Sequence, residues 1–411
     1  MHDMTILSDN PDDFCFFDTE TRALDGLEDH TAGDVTICGA ARYSRNAKVN
    51  VFRYAIGNGP LRRWDLEDFD KMLRWRDAPP DLLKFLARAL KGEAWFVAFN
   101  SGFDRQVANN SMLNDAPDGV VLPIRCVLDA MAQAVAANLP AKLEDASRSI
   151  GRGGKVKEGK KLMQIFATAT DQGGGTPQTH PEEWARYQEY ADGDVEELRA
   201  VFQSTRPMWR WEWEQFWASE KINDAGLPVD RHFAERAAAL AEVYEGQVNV
   251  LIKKFSRDRC WSVNQHVALA NLVADELEHL PEAFNILVKK YEEDQEGDGL
   301  VVSSLSLERT RVEKLIAYLE RMDREIGLDD DEYAMLQLLE VRLFGASNTP
   351  KKFAKLLPML DHRGRLCGQY VFAGAQQTGR YSSRGLQVHN LTRKTVDDEV
   401  GAVEYINDME L

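Results

Sequence analysis

Five side chains in three short stretches have the types and spacings needed to hydrolyse a phosphodiester. Asp18 and Glu20 stand in "FFDTET" with one residue between them. In a strand that spacing puts both carboxylates on one face, where they can hold a divalent metal through oxygen ligands. Asp104, in "AFNSGFDRQV", follows an apolar run and falls in the first turn of a helix. Tyr190 and Asp194, in "YQEYADGDVEEL", are four apart and so are neighbours on a helix face. Each has an ordinary explanation alone: a strand end, an acid favoured by the helix dipole, a surface pair. In this order, the four carboxylates can hold two metals about 4 Å apart, one for the attacking water and one for the leaving 3′ oxygen. The metals would offset the charge on the phosphate oxygens, and the Tyr190 hydroxyl would orient the water.

The elements that must position these groups follow from local pattern. "DDFCFFDTET", "DVTICGAARYS" and "KVNVFRYAIG" read as strands closed by turn residues. "WDLEDFDKML" and "PPDLLKFLARALKG" have helical spacing. "AWFVAFN" is a further strand, and "SGFDRQVANNSML" the helix after it. Loops are expected over about 149–161 and 168–181. "PEEWARYQEYADGDVEELRAVFQ" reads as a strong helix with Pro at its start. Strands first, then helix and strand alternating, predict a mixed α/β sheet. A first boundary is placed near Pro207. Beyond it the chain reads as mainly helical, with Trp209, Trp213 and Trp217 as a core stripe. "YEEDQEGDG" reads as a solvated loop between long charged helices.

Composition limits the alternatives. The chain has 411 residues and a net charge of −17, so nucleic acid would be held by local basic patches or through metals, not by a general basic coat. Five scattered cysteines without a Cys-x-x-Cys pair argue against a disulfide framework and a structural zinc site. No signal peptide and no membrane-length apolar run is visible, so a cytoplasmic location is expected, the host cytoplasm if the protein is viral. "GKVKEGKK" imitates a phosphate-binding loop, but Lys161 stands where Ser or Thr would bind Mg²⁺, and no strand precedes it. Lys155, Lys157 and Lys160 could still touch phosphates near a nuclease cleft, or simply face solvent. Asp192, an extra acid beside Asp194, is expected to face solvent.

A second group lies near the end, in "TGRYSSRGLQVHNLTR". Arg380, Arg384 and Arg393 can grip phosphates, while Gln387 and Asn390 can reach minor-groove acceptors, which check shape more than sequence. Alone, the stretch also reads as a basic surface loop.

The three acidic stretches resemble the Exo I, Exo II and Exo III motifs of the DEDD superfamily of 3′–5′ exonucleases. Asp18, Glu20, Asp104 and Asp194 match the carboxylates, Asn100 fits the second motif, and Tyr190 matches the tyrosine subtype. Glu189 stands where the other subtype has His. The resemblance covers roughly the first half of the chain. It implies an RNase H-like fold, two Mg²⁺ (or Mn²⁺) ions and release of nucleoside 5′-monophosphates. "EKINDAGLPVD" resembles the segment after the exonuclease domain in family A DNA polymerases, the DNA polymerase I family, with Ile222, Asn223, Gly226, Val229 and Asp230 matching. "WSVNQHVALANLV" resembles a thumb segment of that family. "TGRYSSRGLQVHNLTR" resembles its primer–template motif, closest to the bacteriophage branch, with Thr392 departing from the usual Pro. The DNA-binding residues this implies are Thr378, Arg380, Ser382, Arg384, Gln387, Asn390 and Arg393. In the preceding segment they are Lys351, Lys352 and Lys355.

The family's palm Asp, fingers helix and palm turn lie downstream of that motif and are not found before Leu411. The expectation is therefore an α/β exonuclease domain over 1–206, a helical connector and thumb-like region over 207–345, and the beginning of a polymerase palm over 346–411. Its partners would be single-stranded DNA 3′ ends, primer–template DNA, and a second polypeptide supplying palm and fingers if the gene is split. The alternatives are a non-catalytic primer–template-binding subunit and a free-standing RNA exonuclease of the same superfamily.

Overall fold

The mostly buried stretch "FCFFDTETRA" forms β1 (Phe14–Ala23), with Asp18 and Glu20 half-buried between buried neighbours. The structure is a computed structural model and describes residues 3–66, 68–112, 121–153, 159–293, 300–345, 350–375, 377–391 and 396–409. β1 pairs antiparallel with β2 (Ala47–Ile56), which pairs antiparallel with β3 (Arg62–Asp65). On its other side β1 runs parallel to β4 (Trp95–Ala98), and β4 to β5 (Val127–Asp129). The sheet order is β3-β2-β1-β4-β5. The three parallel strands bring their carboxyl ends together, where open α/β sheets bind ligands.

Two compact units are present. One is Met1–Arg231 with Lys355–Asp397, and the other is His232–Ala354 with Asp398–Leu411. The expected boundaries near 207 and 346 therefore shift. The helix after Pro207, α8 (Arg210–Ala225), packs Trp213, Phe216 and Trp217 on Phe16, Val97 and Leu128 of the sheet. The Trp217 indole N–H donates to the Val127 carbonyl at 3.0 Å. Trp213 and Trp217 are thus core and close one face of the first unit, whereas Trp209, expected in the same stripe, is half-buried at the start of α8.

The remaining helices of this unit are α1 (Val35–Tyr43), α2 (Pro80–Leu90), α3 (Gly102–Asn110), α4 (Ala130–Ala136), α5 (Leu143–Ser149), α6 (Gly159–Ala167) and α7 (Pro181–Ser204). Two expectations fail here. "DVTICGAARYS" is helical, because the Asp34 side chain accepts from the Thr36 N–H at 2.8 Å and caps the turn. A kink at Gly39, φ 73°, then redirects it. "WDLEDFDKML" is not a helix. Trp64 pairs with Phe52 across the sheet edge, and Asp65 is ion-paired to Arg53. β5, α4 and α5 had no clear signal in the sequence.

The segment that rejoins this unit is tied down by the "KINDAG" turn. The Asn223 side chain accepts from the Tyr370 N–H and donates to its carbonyl, both at 2.9 Å. Gly226 has φ 67°, and a Cβ there would lie 2.6 Å from the Cys367 sulfur. β10 (Tyr370–Ala375) and β11 (Arg380–Ser383) then form a hairpin, where a turn-rich loop was expected. It follows the two-residue pairing of β6 (Leu227–Pro228) with β9 (Arg365–Leu366).

The second unit is mainly helical, as expected. Its core gathers Ile252 of α9 (Arg231–Phe255), Leu269 and Val273 of α10 (His266–Glu276) and Leu287 of α11 (Pro281–Leu287). Leu315 and Leu319 of α12 (Arg309–Ile326) and Leu338 and Leu339 of α13 (Asp330–Gly345) complete it. The stretch expected as a solvated loop is partly a hairpin of β7 (Val288–Glu293) and β8 (Leu300–Leu305), and its tip lies outside the described residues. Among the described residues no helix is long and apolar enough to cross a membrane.

Candidate functional site

Asp18, Glu20 and Asp194 each offer a carboxylate oxygen, and these oxygens all lie within 4.8 Å of one another. The first two come from β1, where a register shift between Glu20 and Thr21 re-aims the strand. The third comes from α7. Three carboxylates this close repel unless a cation or a proton lies among them. A hard, all-oxygen donor set of this kind fits Mg²⁺ or Mn²⁺.

Asp104 stands apart from this group of three. Its Oδ1 accepts from the Thr19 N–H at 3.1 Å and the Thr19 hydroxyl at 2.6 Å. It is thus anchored to the residue between Asp18 and Glu20. Burial pushes its carboxyl above the usual range, against the lowering effect of the two Thr19 bonds.

Tyr190 is buried and hydrogen-bonded to Asp194. Burial first, then the charges of Asp194, Glu20 and Asp18, raise its pKa, so the phenol keeps its proton. Tyr187, one turn earlier, escaped the sequence reading. Its hydroxyl donates to Glu20 Oε2 at 3.1 Å. Its ring lies parallel to that of Tyr190, 6.5 Å away at 5°. Tyr187, Tyr190 and Asp194 follow an i, i+3, i+7 pattern, the one signal that could have marked the extra tyrosine.

Asp192 is half-buried and ion-paired, not simply solvent-facing as expected. Two residues before Asp194, it faces the sheet edge, pairing with Arg53 Nε at 2.5 Å and with Arg63. Lys160 is exposed on α6, while Lys155 and Lys157 lie outside the described residues.

The DNA-binding candidates are scattered differently. Arg384 Nη1 donates to Asn100 Oδ1 at 2.9 Å, so these two partner one another. Both line a cavity of about 260 Å³ with Asp129, Glu220 and Gln369. Arg380 and Ser382 lie on β11, Arg380 exposed. The Thr378 hydroxyl donates to the Ala375 carbonyl at 3.4 Å. The Asn390 amide donates to Gln387 Oε1 at 3.2 Å, with Gln387 at φ 54°. Lys355 donates to the Gly385 carbonyl at 3.2 Å. In the other unit, Lys351 donates to Asn264 Oδ1 at 3.0 Å and pairs with Glu245 at 3.2 Å. Lys352 is half-buried in the short helix α14 (Lys351–Leu356). Arg393 lies outside the described residues.

A second acidic group, His279, Asp329 and Glu332, is a helix cap. Asp329 Oδ1 accepts from the Glu332 N–H at 2.8 Å, and Glu332 Oε2 accepts from the Asp329 N–H at 2.9 Å, a reciprocal box that starts α13.

Asp129 gives a pH prediction. It accepts from the Asn100 and Met131 N–H groups at 2.9 and 2.8 Å, yet burial pushes its carboxyl up to about 6, with Glu220 adding to the rise. A folded pKa above the unfolded value of 3.8 means that the folded chain holds the proton more tightly. Stability from this group is full below about pH 4 and is lost as pH rises through 6, roughly 3 kcal/mol in all. Asp129→Asn keeps the acceptor without the titration. Its stability relative to wild type should rise by on the order of 1 kcal/mol between pH 5 and 7.5 in urea unfolding. A difference flat with pH would sink this assignment.

Comparison with known proteins places the chain near DNA polymerases. No protein-family model matches it. It is 25% identical over 394 residues to the DNA polymerase of Bacillus phage SP02, a match covering 92% of this chain and 52% of the phage protein. The chain thus spans about half the length of that curated relative. Among solved structures it is similar, at a TM-score of 0.44 and 13% identity, to the POL domain of Pol1 from M. smegmatis in complex with DNA primer-template and dNTP. That match covers 87% of this chain and 51% of the other, and a likeness at this level carries no argument of its own.

Proposed function

We propose that the first unit is a metal-dependent 3′–5′ exonuclease of RNase H-like fold, within a bacteriophage-type family A DNA polymerase. The observation that carries this reading is the meeting of Asp18, Glu20 and Asp194 within 4.8 Å, beside a buried Tyr190 bonded to Asp194. The β3-β2-β1-β4-β5 order and the similarity to a phage DNA polymerase support it. Asp18, Glu20 and Asp194 would hold a cation, with Asp104 next to them on Thr19. When bound, divalent metal supplies the Lewis acidity that phosphodiester hydrolysis needs. The chain's own contribution is positional. The Tyr190 hydroxyl stays protonated and orients the attacking water. Water adds to the terminal phosphorus, the bond to the 3′ oxygen breaks, and a nucleoside 5′-monophosphate leaves. The β10–β11 hairpin and the turn after it, carrying Arg380, Arg384, Gln387 and Asn390, are read as the primer–template strip. The comparisons lend no support to a second polypeptide.

The direct test is 5′-labelled single-stranded DNA with Mg²⁺ or Mn²⁺. Stepwise shortening from the 3′ end with release of 5′-monophosphates is expected. DNA left intact with both metals removes the reading. Parallel RNA substrate separates it from an RNA exonuclease.

Gly159 supplies a sharper check on Tyr190. A Cβ at Gly159 would lie 2.4 Å from Tyr190 Cε2 and 2.8 Å from Cδ2. With alanine at this position the ring must move. Displacement of a positioned group by about 1 Å can cost ~10²-fold. Gly159→Ala should therefore lower kcat by roughly 10- to 100-fold with KM for DNA little changed. Wild-type kcat would show that Tyr190 does not need its present place.

A further inference from the structure

We propose that Tyr187 is a positioning residue for Glu20, fixing that carboxylate for cation binding; this rests on the nuclease reading above. A glutamate brings three side-chain torsions to a site, and a wandering carboxylate is a poor ligand. Glu20 is held because the Tyr187 hydroxyl donates to its Oε2 at 3.1 Å, a charge-assisted bond in a part-buried setting.

Tyr187 is itself immobilised. It is 0% exposed. Its ring stacks on Phe166, with centroids 5.0 Å apart and planes at 29°, and lies parallel to Tyr190. Tyr187 reaches Glu20 from the same helix that supplies Asp194, so one rigid element sets two of the three carboxylates.

Partners that orient metal ligands are typically worth 10- to 100-fold in affinity. Tyr187→Phe removes the hydroxyl and keeps the stack. Mn²⁺ titration, followed by the loss of free-ion electron spin resonance signal, should show a Kd roughly 10-fold weaker than wild type. Tyr54→Phe is the control, because the Tyr54 hydroxyl donates to Asp81 at 3.0 Å, away from the cluster. It should leave Mn²⁺ affinity unchanged. A double-mutant cycle separates positioning from general loosening. In a Glu20→Gln background, Tyr187→Phe should have no further effect on Kd.

If Tyr187→Phe binds Mn²⁺ like wild type, or weakens it equally with Gln at position 20, the inference is overturned while the nuclease reading stands. If Mn²⁺ binding to wild type is absent, or is unaffected by Asp18→Ala, the nuclease reading falls, and this inference with it.

Discussion

Asp18→Ala is expected to lower metal-dependent removal of 3′ nucleotides by on the order of 10³-fold or more, because it takes away one of three oxygens that meet within 4.8 Å. The loss should fall on kcat, since the substitution touches the charge-bearing centre and not the strip assigned to primer–template DNA. Stability should move the other way. Without metal, three neighbouring carboxylates repel, so deleting one should leave the melting temperature unchanged or slightly higher. With Mn²⁺ the order reverses. Wild type gains about 2.7 kcal/mol at a hundred times Kd, and the variant should gain none. The same variant tests the non-catalytic alternative. A chain that only binds primer–template would keep its DNA affinity and show no nuclease loss, having had no activity to lose. Full nuclease activity in Asp18→Ala protein would mean that the carboxylates have been assigned wrongly.

The parts of this site that sequence reveals are those where residue type and period coincide. "DTE" in an apolar strand put Asp18 and Glu20 on one face, and they do lie together. Tyr190 and Asp194 at helical spacing are likewise neighbours. What spacing along the chain cannot give is the third dimension. Asp104 was grouped with the other carboxylates by order, and what the order could not show is that Thr19, between Asp18 and Glu20, holds its Oδ1. Asp192 looked like a spare surface acid until β2 and β3 brought Arg53 and Arg63 to it. The same limit explains the fold errors. "TICGAARY" has the β-branched and apolar content of a strand, and one capping aspartate with a glycine kink makes it a helix. The stretch around Trp64 has helical spacing, but cross-strand contact with Phe52 holds it at the sheet edge. The boundary near Pro207 followed local composition, whereas the Trp213–Trp217 stripe obeys the sheet it covers. Tyr187 lies on the same helix face as Tyr190 and Asp194, but a tyrosine in a helix is usually packing, and it is the bond to Glu20 that gives it a place in the site.

Arg53→Met should show how strongly this geometry depends on a buried charge. Arg53 is 0% exposed and lies directly opposite Asp18 in the β1–β2 register. Its guanidinium pairs with Asp65 of β3 and with Asp192 of α7, at the centre of the sheet-to-helix contact. Asp65 also accepts from the Gln188 amide at 3.2 Å, a second tie to α7. Breaking a buried pair by removing one partner costs about 3–5 kcal/mol, because the other charge is left without compensation. The two acids will not suffer equally. Asp192 keeps Arg63, whereas Asp65 has its carboxyl raised by burial even with Arg53 in place. Without Arg53 that rise must grow. A carboxyl raised in the folded state destabilises it increasingly as pH climbs, so the Arg53→Met defect should be larger at pH 8 than at pH 5. Asp65→Asn added to Arg53→Met should recover much of the loss at pH 8 and little at pH 5. Because α7 carries Tyr187, Tyr190 and Asp194, nuclease activity should fall with the clamp even at temperatures where the variant is folded. Urea unfolding at the two pH values decides it: a loss under about 1 kcal/mol, equal at both, would mean that Arg53 behaves like a surface pair and that packing alone holds α7 to the sheet.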